Sequence, residues 1–205
     1  MSIINPFALA EAQDDDELFE VMEPPPVDFE LFGGLPISTG IIKARHLVHR
    51  DQDWHSSVHI WILDVSKKLL LLQQRSVQKD TFPGRWDISA AGHIPAKHQA
   101  LPTAIAELQE ELGIVAEPNE LQYQFTCPAK QAPAGGCNCY EYVYFLQKDS
   151  LTLKCALGTK EVTAIKWISL ENLETAWKTR DVSFVPRVDN YRRAFSLSLK
   201  QMLME

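Results

Sequence analysis

Residues 102–113 constrain the fold most, because they form a helix with two incompatible sides. With Ile105 at zero on a wheel of about 100° per residue, Leu101, Leu108 and Leu112 fall within about 60° of it, an apolar stripe that needs a partner surface. Glu107, Glu110 and Glu111 fall on the opposite side. Their i, i+3, i+4 spacing gathers like charges that repel unless water, salt or a cation compensates. A Mg²⁺-like ion suits that cluster, since hard cations take oxygen ligands and share them with waters and phosphate oxygens. Pro102 is tolerated in the first turn and Gly113 supplies the stop.

The surroundings of this helix alternate strands with few helices. VHIWIL at 58–63 and LLLL at 69–72 read as two strands joined by a turn, TFPGRW at 81–86 turns or loops, and 88–91 is short and made of small residues. Further strands are expected at 121–127, 140–147 and 162–168, and helices at 170–178 and 187–203. Interleaving of this kind predicts an α/β protein with a mixed sheet and helices on its faces. Residues 1–16 are acidic, lack apolar periodicity and precede Pro24, Pro25 and Pro26, so they predict a flexible tail, with one domain over 17–205.

Residues 92–114 read GHIPAKHQALPTAIAELQEELGI. This segment resembles the Nudix box, G-x5-E-x7-R-E-U-x-E-E-x-G-U, in which U is bulky and apolar. Gly92, Glu107, Leu108, Glu110, Glu111, Gly113 and Ile114 fall in register, whereas His98 replaces the first glutamate and Ala106 the arginine. VHRDQDWHSSVHIWIL, LLLLQQRS and TFPGRWDISAAGH further resemble the branch that includes isopentenyl diphosphate isomerase and plant-type Nudix hydrolases. The resemblance implies the Nudix α/β/α sandwich with a mixed β-sheet, Mg²⁺ or Mn²⁺ as cofactor, and a small-molecule substrate with a diphosphate linkage. It also implies metal ligation by histidines, with His49, His55 and His93 at the matching places, and a base drawn from the box or from a later acid such as Glu141 or Glu161.

Hydrolysis is then expected: Glu107, Glu110 and Glu111 hold the metal against the diphosphate, and a carboxylate activates water for attack at phosphorus. The first alternative is a diphosphate-binding module with little turnover, because Ala106 cannot orient a glutamate as the box arginine does. The second is an isomerase, disfavoured because Ala90 and Ala91 stand where that branch carries its catalytic cysteine. Arg85 and Lys43 read as ordinary surface cations, and Trp54, Trp61, Phe82, Trp86, Tyr140 and Tyr142 mainly as packing.

With 20 Lys+Arg against 27 Asp+Glu, the net charge of −7 argues against a nucleic-acid polymer as partner. The N-terminal stretch has neither the basic flank nor the apolar run of a signal or membrane segment, so a cytoplasmic location and no membrane partner are expected. Cys127, Cys137, Cys139 and Cys155 lack C-x-x-C spacing and read as free thiols.

Overall fold

Strand β4 (His55–Asp64) is buried along its whole length, and its alternating side chains divide the interior in two. Val58, Ile60 and Ile62 face one core with Leu71 and Leu146, and Trp61 and Leu63 face another with Leu70, Leu72 and Phe145. In this computed structural model, which describes residues 14–157 and 160–204 and the backbone of residues 3 and 4, helix α2 (Ala100–Leu112) closes the first core through Ala104, Leu108 and Leu112. Helices α3 (Leu170–Thr179) and α4 (Asp189–Met204) close the second through Leu173, Tyr191, Phe195 and Leu199. The result is the expected α/β/α sandwich.

The main sheet has the strand order β1 (Ile3–Ile4), β10 (Val162–Ser169), β5 (Leu69–Arg75), β4, β9 (Asn138–Gln147), β8 (Leu121–Lys130). β4 and β9 run parallel and the other pairs antiparallel, so the sheet is mixed. A smaller sheet pairs β2 (Leu18–Met22) with β3 (Ser38–Ala44), and helix α1 (Arg45–Asp51) leads from it into β4. Residues 1, 2 and 5–13, most of the expected tail, lie outside the described residues. Among the described residues no helix is long and apolar enough to cross a membrane.

One irregularity positions the site. β4 bonds to β5 at one end, Leu63↔Leu70 and Asp64↔Leu69, while its other end bonds to β7 (Ala90–His93) over 57–60. β5 in turn takes β6 (Trp86–Asp87) at Gln73 and Gln74. The strands therefore splay, and α2 lies across the opening beside β7. Gly113, in the left-handed region at φ 66°, ends α2 with its N–H donating to the Gln109 carbonyl.

Candidate active site

Burial of the three helix glutamates is graded around the wheel. Glu111 flanks the apolar stripe by about 90° and is 3% exposed, Glu107 is half-buried, and Glu110 is exposed. Oε2 of Glu111 accepts from the backbone N–H of Ala91 at 3.0 Å and from Nε2 of Gln73 at 3.1 Å. Glu107 lies against β7 at Gly92, where a Cβ atom would stand 1.7 Å from its Oε1. A glycine there is what admits the carboxylate.

These groups open onto a cavity of about 320 Å³ that Glu141 on β9, Glu161, Arg75 and Lys79 also line. Burial pushes Glu107 up to about 8, with further repulsion from Glu161 and Glu110. Burial also raises Glu111 well above the ordinary range, and Glu107 adds to the effect. Lys79, 2.6 Å from Glu161, opposes both shifts without cancelling them. An all-oxygen set with excess negative charge, seated in a cradle that only glycine permits, fits a hard divalent cation.

Glu141, expected as a catalytic acid or base, is buried on the same wall. Burial pushes it up to about 8 against the pull of Arg187, whose Nη1 donates to Oε1 at 3.4 Å. Among the described residues its Oε2 has no hydrogen-bond partner. Nε2 of His59 stands 3.7 Å from Oε1, and the Nδ1 of the same ring meets the Tyr191 hydroxyl at 3.2 Å. Arg187 also pairs with Asp87, which Arg75 contacts from the other side at 3.3 Å.

The histidines form a separate group. Ring centroids of His49, His55 and His93 lie 4.9–5.4 Å from one another, beside Phe19. His93 borders the cavity, whereas His49 and His55 are not part of its wall. Of the six expected metal ligands, the three glutamates and His93 thus line the cavity, together with Cys137 and Cys139, while His49 and His55 do not.

The other expected residues are dispersed. His98 is exposed ahead of α2, and Ala106 is exposed on it. Lys43 is taken by Asp51 and Asp53, and Arg85 stacks on Phe82 at 5.4 Å. Trp61 and Tyr140 are core, and Phe82 is the aromatic of the expected set that faces the cavity. Sequence reasoning missed Gln73, Asp87 and Arg187, which no local pattern marks. It also missed Cys137, whose C-x-C spacing with Cys139 was the available signal.

Residues 53–188 match the family model described as NUDIX domain. The chain is 37% identical over 153 residues to Nudix hydrolase 3 of Arabidopsis thaliana, covering 72% of this chain and 20% of that protein. It is 43% identical over 81 residues to an uncharacterized Nudix hydrolase of Clostridium acetobutylicum, covering 38% of this chain and 39% of that one. The chain thus spans a fifth to two fifths of the length of these relatives. A likeness of fold extends to the NUDIX domain of Shewanella oneidensis NrtR, solved in complex with ADP ribose, with a TM-score of 0.51 at 15% identity over 72% of this chain and 86% of that one.

Proposed function

The chain belongs to the NUDIX domain family, and from that premise we propose that it is a metal-dependent hydrolase that cleaves an organic diphosphate by attack of water at phosphorus. The observation that carries this reading is the convergence of Glu107, Glu110, Glu111 and Glu161 on one cavity that also holds Arg75 and Lys79. Bound at the glutamates, Mg²⁺ or Mn²⁺ supplies charge neutralisation and Lewis-acid polarisation of a phosphoryl oxygen. Arg75 and Lys79 are placed to meet the remaining phosphate charge.

Water attack forms one P–O bond, breaks the bridging P–O bond, and requires a group to take the water's proton. Glu141 suits that role, because it lines the cavity and its buried Oε2 is unpartnered among the described residues. Gln73 and the Ala91 amide orient Glu111, the task that the box arginine would share. Ala91 offers no acid to the cavity, which disfavours isomerisation by that route. The organic part of the substrate is expected against Phe82 and Val185, a less polar part of the wall.

The test is incubation with Mg²⁺ or Mn²⁺ and a panel of ADP-ribose, dinucleoside polyphosphates, nucleotide sugars and prenyl diphosphates. Cleavage of one member is expected. Tight binding with no cleavage would instead support the binding module, and conversion of isopentenyl to dimethylallyl diphosphate would support the isomerase.

A second readout concerns the metal alone. Glu107 is raised in the folded chain, so its contribution to stability is present below an unfolded pKa of about 4.3 and is lost as pH rises through about 8. Protein dialysed free of magnesium and manganese should therefore lose Tm between pH 5 and pH 8. Addition of Mg²⁺ or Mn²⁺ at about 100 times Kd should restore about 2.7 kcal/mol, roughly 5–10 °C for a chain of this size. A Tm indifferent to both ions at pH 8 would remove the metal from the proposal.

A further inference from the structure

At the edge of the cavity stands a cluster of imidazole and thiol ligand atoms, two of whose residues, His93 and Cys137, also line it. One ligand atom each from His49, His55, His93 and Cys137 lies within 4.8 Å of all the others. They come from four places, α1, the start of β4, the end of β7 and the loop before β9. In a tetrahedral zinc site with ordinary bond lengths, a nitrogen and a sulfur ligand stand about 3.5 Å apart. Here Cys137 Sγ and His93 Nε2 are 3.8 Å apart.

Three further observations favour ligation over simple packing. Nδ1 of His55 faces the Asp53 carbonyl at 3.1 Å and donates to it, which leaves the Nε2 lone pair pointing inward. That arrangement is typical of metal-bound histidines. Nε2 of His49 is buried and has no hydrogen-bond partner among the described residues. Cys139, whose sulfur is 3.3 Å from Cys137 Sγ and 3.2 Å from His55 Nε2, supplies a thiol beside the group.

We infer that His49, His55, His93 and Cys137 form a second metal centre, distinct from the glutamate face, that takes a thiophilic divalent cation of the zinc class in a closed, structural site. The resemblance implies metal ligation by these three histidines as well as by the glutamates, without fixing how many ions they hold. The thiol gives the histidines an ion of their own, since imidazole and thiolate select zinc-like ions and carboxylates select magnesium-like ones. Four protein ligands leave no open position, so the centre binds no substrate. Its effect is to fix α1, β4, β7 and the β9 loop together beside Gly92, against which Glu107 rests. Loading requires one adjustment. Arg45 donates to Nδ1 of His93 at 3.1 Å, so ligation through Nε2 puts a proton on Nδ1 and turns the guanidinium toward Glu17, 3.9 Å away. This inference is independent of the proposed hydrolysis.

The test uses the full chain, purified without chelator or added metal, with zinc measured by mass spectrometry and cobalt as a spectroscopic substitute. The expected result is about one tightly held zinc per chain, and a cobalt form with tetrahedral visible bands and a thiolate-to-cobalt charge-transfer band. Cys137→Ser should remove that band and most of the zinc, whereas Glu110→Gln with Glu111→Gln should keep both. A cobalt form of the unaltered chain with no thiolate band overturns the inference, and this readout stands even if Cys137→Ser does not fold. So does zinc that survives Cys137→Ser and His55→Ala undiminished, or zinc lost from the glutamate variant.

Discussion

Glu111→Gln is expected to lower kcat about a thousandfold, about 4 kcal/mol of barrier, while leaving the folded chain as stable as before or more stable at pH 8. The two effects have one origin. Oε2 of Glu111 accepts from Gln73 and from the Ala91 amide, and a glutamine carbonyl can accept both bonds in the same place. The packing is therefore kept and the charge is lost. Burial holds the Glu111 carboxyl well above the ordinary range, so its ionised form is costly to the fold at pH 8 unless a cation offsets it. Removal of a group that opposes stability but is needed for activity separates a functional carboxylate from a structural one. Steady-state kinetics and thermal unfolding of the same preparation decide the matter. A drop in Tm matched by a proportionate drop in activity would make Glu111 a structural acid, and unchanged kcat would move the metal site elsewhere.

Much of this arrangement was legible before the structure. Strands β4, β5, β8, β9 and β10 announce themselves through β-branched and aromatic runs, and α2 through a stripe with Pro102 and Gly113 at its ends. The β2–β3 hairpin was not seen, because the proline- and glycine-bearing residues 23–37 separate its strands, and α1 is too short to show a period. The wheel placed Glu107, Glu110 and Glu111 together but gave all three one environment. Which of them is buried depends on β7 filling the gap between β4 and β5, a tertiary event with no local signature. For the same reason Glu141 was named without its partners: Arg187 and Asp87 lie 46 and 54 residues away in sequence. The cysteines were read by C-x-x-C spacing alone. Alternation in a strand makes C-x-C the spacing that puts two side chains on one face.

The largest expected loss of stability comes from Arg187→Met. The Arg187 side chain is buried between Asp87 and Glu141, both themselves buried, and donates to each. Methionine of similar length fills the volume but leaves Glu141 without its cation and Asp87 with Arg75 alone, which costs about 3–5 kcal/mol, roughly 10 °C in Tm. The pH dependence distinguishes this cause from lost packing. Burial pushes the Asp87 carboxyl up, but Arg187 and then Arg75 outweigh it and hold it below its ordinary value. Its contribution is therefore present above an unfolded pKa of about 3.9 and is lost as pH falls through the folded value. Without Arg187 that depression shrinks, and the burial penalty on Glu141, already raised to about 8, is no longer opposed. Both groups then favour the protonated, folded state in acid, so the stability difference between the two proteins should be small near pH 4 and grow steadily to pH 8. Denaturant unfolding at pH 4.5, 6 and 8 measures it, and Asp87→Asn added to Arg187→Met should recover part of the loss at pH 8. A difference that is the same at every pH would mean that Arg187 acts through its volume and that the Asp87–Arg187–Glu141 chain is not what holds Glu141 at the cavity wall.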